Sequence, residues 1–244
     1  MKKILSRLIS DRFKQEFKIK LGAPHMYWSI QNLKNNGLNA TNIIDIGAYK
    51  GEWTEDVLKI YPAASYLMIE ANPEREKDLQ AFIQRKSGSK IDFELALLDN
   101  QSAMEKVFYI RETAASALEE VSGPNAEKII IPTRTLNEVA AKKGFAGVSL
   151  MKLDVQGYEL EVLKGGDKVL PHTEAVLLEV SLLDIHKNVP LIRDVINFMY
   201  DYGFVVYDIC GVSARRPLDR ALWQTDLLFV KENSRFRQNK SYNK

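Results

Sequence analysis

The chain of 244 residues holds a single cysteine, Cys210, so no disulfide can form within it. A reducing, cytoplasmic setting is the expectation. Cys210 follows Tyr207-Asp208-Ile209, a context that suits a buried packing residue rather than a reactive thiol. Long apolar runs are missing: stretches such as 175–180 fall far short of the ~20 residues a membrane-spanning helix needs. The basic, apolar start Met1-Lys2-Lys3-Ile4-Leu5 is interrupted by Arg7, Asp11 and Arg12 before a signal-peptide core can develop. Internal repeats and low-complexity blocks are absent, as are His, Asp and Glu at tight metal-ligand spacing, and no metal is expected. Charge of one sign is lacking overall, at a net +2, but it is unevenly placed. Residues 1–20 carry seven Lys or Arg against Asp11 and Glu16, and 231–244 carry five against Glu232, which leaves −7 for residues 21–230. A nucleic-acid enzyme usually presents a basic working face. An acidic middle with basic ends argues against RNA or DNA as partner.

What is present is enough apolar material, 45% of residues, for one substantial core. Ile4, Leu5, Leu8, Ile9, Phe13 and Phe17 recur at helical spacing between charges, which predicts an amphipathic N-terminal helix. It docks on the domain or on a second subunit of a homodimer, or lies peripherally on a membrane surface through its basic face. A second helix spans His25 to Asn36 and ends at Gly37. Residues 1–37 thus form a helical extension, 38–232 the main domain, and 233–244 a polar, basic tail expected to be disordered.

Within the main domain, strands and helices alternate. The expected strands are Ile43–Ile46, Ser65–Ile69, Ile91–Ala96, Val148–Leu153 and Ala175–Val180. The expected helices are Glu52–Ile60, Pro73–Arg85, Thr135–Lys142, Glu159–Lys164 and Leu191–Tyr200. Residues 105–133 read as irregular and strand-rich, with Val107–Ile110 and Ile129–Ile131 as candidates. Phe204–Ile209 and Asp226–Val230 close the chain with no helix between them. This order predicts an α/β fold: a mostly parallel sheet with helices on both faces and an antiparallel C-terminal hairpin at its edge. In such open sheets ligands sit outside the carboxyl ends of the strands.

The richest of those ends is Asn42-Ile43-Ile44-Asp45-Ile46-Gly47-Ala48-Tyr49-Lys50-Gly51. A dinucleotide fingerprint wants three glycines around a pyrophosphate. Ala48 and Tyr49 stand where the second glycine belongs, and Asp45 would repel a pyrophosphate. An acid there suits a cofactor that carries an ammonium group, and the spacing Asp-x-Gly-x-x-x-Gly points to S-adenosylmethionine. Gly47 permits close backbone approach. Amides near Gly51 and the hydroxyl of Thr54 are candidate donors to a carboxylate.

The second strand runs into Glu70-Ala71-Asn72-Pro73. Glu70, about 20 residues past the turn, is placed to accept both hydroxyls of a ribose. The competing assignment is a helix-capping acid, with Asn72 as the true cap. Ala96 and Leu97, after the third strand, are candidates for the apolar wall of an adenine site, although ordinary core would look the same. Asp154 ends the fourth strand and Glu179 the fifth, with His186 in the loop beyond. These three converge as candidates to orient and deprotonate a hydroxyl. Arg215 and Arg216 lie in a later loop and are either a greeting for an anionic acceptor or solvated charges.

Asp45-Ile46-Gly47-Ala48 with Gly51, and Ile69-Glu70-Ala71-Asn72-Pro73, resemble the first two motifs of the FkbM-type methyltransferases. Lys152-Leu153-Asp154-Val155-Gln156-Gly157-Tyr158-Glu159 through Gly166 resembles that family's most distinctive stretch, and Gln224–Val230 its ending. The resemblance runs from about Thr41 to Val230. It departs from the usual pattern at Gln156, where Glu is common, and at Tyr49, where Asn is. It implies a Rossmann-like, seven-stranded class I methyltransferase fold, S-adenosylmethionine as cofactor, and O-methylation of a sugar, glycan or natural-product hydroxyl. The residues expected to hold the cofactor are Asp45, Gly47, Ala48, Tyr49, Gly51, Thr54, Glu70, Ala71, Asn72, Ala96, Leu97 and Asp154. Two other functions fit a sheet of this kind: an NAD-dependent oxidoreductase, and a binding module without chemistry. The missing glycines argue against the first and the intact strand-end acids against the second.

Overall fold

The computed structural model describes residues 20–111, 115–121, 126–213 and 215–242. The expected amphipathic helix over Ile4–Phe17 lies outside them. The first helix described, α1 (Met26–Asn35), starts at His25, whose ring nitrogen accepts from the Trp28 amide at 3.3 Å. Ile30 and Leu33 of α1 are fully buried, and Ser29 Oγ donates to Asp208 at 2.7 Å. The helix is therefore packed into the domain it precedes.

Seven strands form the main sheet in the spatial order β3-β2-β1-β7-β8-β10-β9. In chain order these are β1 (Asn42–Ile46), β2 (Ser65–Glu70), β3 (Lys90–Leu95), β7 (Val148–Leu153), β8 (Thr173–Ser181), β9 (Phe204–Val212) and β10 (Gln224–Lys231). The five strands β3, β2, β1, β7 and β8 run parallel. Only β10 is antiparallel, and it pairs with β8 on one side and β9 on the other. The C-terminal hairpin is thus as expected, but its second strand is inserted inside the sheet and β9 takes the edge.

Side chains alternate between the two faces along each strand. Ile43, Tyr66, Leu150 and Leu177 meet α1, α2 (Glu52–Leu58) and α3 (Glu76–Arg85). Ile44, Leu67, Met151 and Leu178 meet α4 (Leu136–Lys143), α5 (Glu159–Lys164) and α6 (Ile192–Asp201). Both faces are covered, which is why the parallel strands read as nearly continuous apolar runs.

Between β3 and α4 the chain builds a small second sheet in the order β4-β6-β5, from β4 (Leu97–Leu98), β5 (Glu105–Ile110) and β6 (Glu127–Arg134). It stands over the carboxyl ends of the main strands. The tail is tied down where it begins: a short turn over Arg235–Arg237 lets Arg235 bond the Gly37 carbonyl and pair with Glu174.

Candidate active site

The carboxyl ends of β1, β2 and β7 and the underside of the small sheet enclose a cavity of about 320 Å³. That lies at the lower end of the ~300–1,000 Å³ typical of small-molecule sites. Of the residues expected to hold a cofactor, Gly47, Ala48, Tyr49, Glu70, Ala71, Asn72, Ala96, Leu97 and Asp154 line it.

The turn after β1 is shaped by its neighbours. Gly47 has φ +73, and a Cβ there would stand 1.9 Å from the Asp154 carbonyl oxygen. The glycine thus lets β1 and β7 cross closely, a tighter requirement than ligand approach. Tyr49 adopts φ +51, a left-handed conformation uncommon outside glycine. Its amide donates to Glu70 Oε2 at 2.8 Å, and the Asn72 amide donates to Oε1 at 2.8 Å. Glu70 therefore fastens two turns together while bordering the cavity, and each oxygen keeps a lone pair for a hydroxyl. Burial raises its pKa, with the two amides acting in the opposite sense. Asn72 is also the cap of the following turn, accepting from the Glu74 amide at 3.0 Å.

Three expectations for the cofactor end are corrected. Asp45 does not face the cavity: it is 1% exposed, accepts from Thr54 Oγ1 at 2.8 Å, and pairs with Lys152 Nζ at 3.2 Å. Strand alternation turns it onto the face that α2 covers, beside Lys152, its register partner on β7. Thr54 is consequently spent on Asp45 and fully buried, so it is not a cofactor donor. Gly51 lies outside the lining; its φ of +84 starts α2, its amide bonds the Ala48 carbonyl, and the ring of Phe82 fills the space a side chain would need.

Lys152, which sequence reasoning passed over, is the hub. Its ammonium, 8% exposed, contacts Asp45, lies 3.7 Å from Asp154 Oδ2, and donates to the Gly47 carbonyl at 3.0 Å. These carboxylates hold its pKa above the ordinary lysine range against the opposing effect of burial. The signal available was its place two residues before Asp154, on the same face of β7.

Asp154 lines the cavity with 39% of its side chain exposed. Gln156, at φ +55, folds back so that Nε2 donates to Asp154 Oδ1 and to Glu179 Oε2, both at 2.8 Å. Gln224 Nε2 also donates to Glu179, at 2.8 Å. Glu179 and Asp154 are thus brought together as expected, but Glu179 sits behind Asp154 and does not line the cavity. Burial, then the neighbouring carboxylates of Asp154, Glu159 and Asp226, push the Glu179 pKa well above the usual range. Glu159 staples the loop by accepting from the Val155 and Gly157 amides at 3.1 Å, and burial raises its pKa to about 7.

His186 does not join this group. It is 4% exposed and lies outside the lining, in a segment bridged to Glu120. Burial, with Arg111 nearby, lowers its pKa. The loop that carries His186 packs Val189 against Gly157, a contact that loop sequence does not reveal. Arg216 is clasped by Asp219, and Arg215 bonds the Arg220 carbonyl; neither borders the cavity. Among the described residues no group of three or more His, Cys, Asp or Glu is arranged to hold a metal ion, and no helix is long and apolar enough to cross a membrane. Cys210 is buried, and burial pushes its thiol pKa up to about 12.

The methyltransferase FkbM domain matches residues 45–206, about two thirds of the chain. The chain belongs to the FkbM-domain methyltransferase family. S-adenosylmethionine is the cofactor of the family, and the cavity lining fits it: Glu70 offers a diol acceptor, and Leu97, Leu98, Phe108 and Val162 offer apolar walls. The turn does not fit a pyrophosphate, because the amides of Gly47, Ala48, Tyr49 and Gly51 are all engaged within the protein. The NAD reading is therefore dropped.

Solved structures share the fold. Methyltransferase FkbM from Methylobacillus flagellatus KT superposes with a TM-score of 0.52 at 17% identity, over 78% of this chain and 44% of that one. The FkbM-domain chain thus spans less than half the length of that protein. Magnesium protoporphyrin IX methyltransferase (ChlM) from Synechocystis PCC 6803 with bound SAM gives 0.50 at 12% identity, over 84% of this chain and 77% of that one. The same enzyme with bound SAH gives 0.50 at 11% identity, over 84% and 81%. No curated protein sequence matches this chain.

Proposed function

We propose that this FkbM-domain methyltransferase transfers a methyl group to a hydroxyl oxygen of a sugar, glycan or natural product, with Asp154 as the group that orients the hydroxyl and accepts its proton. The observation that carries this reading is the position of Asp154. It is a solvent-reaching carboxylate at the end of β7, inside the cavity, and held from both sides by Lys152 and Gln156. S-adenosylmethionine supplies, when bound, an electrophilic methyl group on a sulfonium sulfur. The protein's part is then to position, to exclude water and to manage one proton.

An alcohol attacks poorly until its proton is taken up. Asp154 Oδ1 accepts from Gln156 and Oδ2 lies 3.7 Å from the Lys152 ammonium, and the carboxylate keeps lone pairs for a hydroxyl. Glu179 supports this division of labour. Burial and the neighbouring carboxylates raise its pKa, which keeps a proton on this buried carboxyl at neutral pH. Phe108, Arg111, Ala115 and Ala117 also line the cavity, and on this reading they border the acceptor.

The test is Asp154→Asn, measured with a panel of glycans and nucleotide sugars and a labelled methyl donor. Turnover is expected to fall by about 10²–10⁴, while affinity for S-adenosylhomocysteine stays at the wild-type value. Unchanged turnover removes Asp154 from the role, and methyl transfer only to nitrogen or carbon acceptors removes the O-methylation reading.

A further inference from the structure

Two hydrogen-bond donors on the cavity lining have no acceptor. Nε1 of Trp53 and Nε of Arg75 are both shut off from solvent, and neither has a hydrogen-bond partner among the described residues. They flank the same element. Trp53 lies in the first turn of α2, four residues beyond Tyr49, and the Arg75 guanidinium stacks on the Tyr49 ring at 5.2 Å. The terminal nitrogens of Arg75 each have a partner: Nη1 donates to Asp78 at 3.1 Å and Nη2 to Glu74 at 3.5 Å. Nε is buried and has none among the described residues.

A buried donor without an acceptor is uncommon and calls for a physical reason. An indole N–H can only donate, and a guanidinium can only donate. Whatever completes the pair must bring oxygen lone pairs. Several nearby donors are already spent: the amides of Gly47, Ala48, Tyr49 and Gly51 on the protein itself, and the Lys152 ammonium on the Gly47 carbonyl and Asp45. The cofactor's ribose hydroxyls have their acceptor in Glu70. Its amino-acid end carries its one anionic group.

We infer that Trp53 Nε1 and Arg75 Nε form a paired donor site for the carboxylate of the cofactor's amino-acid end. The inference rests on the methyltransferase reading of the cavity. It also gives a role to an arginine whose side chain is only 15% exposed: Glu74 and Asp78 hold its terminal nitrogens, and Nε is without a partner among the described residues.

Calorimetry with two ligands tests it. S-adenosylhomocysteine carries the carboxylate; 5′-methylthioadenosine keeps the nucleoside and the thioether but lacks the amino-acid end. Trp53→Phe removes one N–H and keeps an aromatic ring. It is expected to weaken S-adenosylhomocysteine binding by about tenfold or more, the effect of one hydrogen bond to a charged group, and to leave 5′-methylthioadenosine within about twofold. Arg75→Met is expected to show the same pattern. The melting temperature of ligand-free Trp53→Phe should equal or exceed that of the wild type, because the lost N–H bonded nothing. Equal weakening of both ligands would assign the donors to the nucleoside and overturn the inference. Unchanged binding of both would overturn it too. Wild-type protein that binds neither ligand would instead sink the methyltransferase reading beneath it.

Discussion

Lys152→Met is the most informative single perturbation of this site. The ammonium lies 3.2 Å from Asp45, whose carboxylate is 1% exposed and otherwise accepts only from Thr54 Oγ1. Removing the lysine leaves a buried carboxylate without its counter-charge, which typically costs about 3–5 kcal/mol. For a chain of this size each kcal/mol moves the melting temperature by about 2–4 °C, so a drop of roughly 6–20 °C is expected. Asp45→Asn strands the ammonium less severely, because Lys152 keeps the Gly47 carbonyl and Asp154. The double variant Asp45→Asn/Lys152→Met buries no charge at this point and should recover much of the loss. Urea denaturation of all four proteins closes the cycle. The reasoning requires a coupling above about 1 kcal/mol, the size seen for groups in one network. Singles whose costs simply add, or a Lys152→Met variant that costs under about 1 kcal/mol, would refute the account of Lys152 as the hub.

The remaining predictions follow from the same contacts. Gly47→Ala places a Cβ against the Asp154 carbonyl at φ +73 and should lower stability by about 2–5 kcal/mol, from left-handed strain and overpacking together; a melting temperature within a degree of wild type would contradict it. Glu179 has its folded pKa raised from 4.5, so the native state holds a proton that the unfolded state releases, and stability falls as pH rises from 4.5 through the raised value. Glu179→Gln removes that dependence, so its stability should exceed the wild type's at pH 8 and match it near pH 4.5; denaturation curves at both pH values check the sign. Glu159 acts in the same direction between pH 4.5 and about 7, so Glu159→Gln should also flatten the pH profile in that window; a steeper profile would be the contrary result.

The elements of the main sheet were legible because burial on both faces leaves an unambiguous pattern. Val148–Leu153 and Glu159–Lys164 run as expected to the residue. The misreadings share a cause: they depend on which strand lies beside which. Asp45 at a strand end reads as a ligand contact until β7 is placed next to β1, and then Lys152 becomes its partner. Asp226 and Glu179 are likewise far apart in sequence and opposite in register once β10 inserts beside β8. The two-residue strand Leu97–Leu98 is too short for any periodicity, so the second sheet over the cavity could not be read. His186 was drawn toward the site by its chemistry alone and is held away by the bridge to Glu120. Trp53 was visible as an aromatic in the first turn after Gly51, but its unpartnered N–H exists only in three dimensions.

The central claim is that the cavity at the ends of β1, β2 and β7 holds the methyl donor through Glu70. Calorimetric titration of S-adenosylhomocysteine into wild type and Glu70→Ala, with NAD as the control ligand, tests it most directly. The account predicts wild-type binding of S-adenosylhomocysteine, no binding of NAD, and a loss of about tenfold or more in Glu70→Ala from two charge-assisted hydrogen bonds. Binding of NAD instead, or equal affinity in Glu70→Ala, would contradict it.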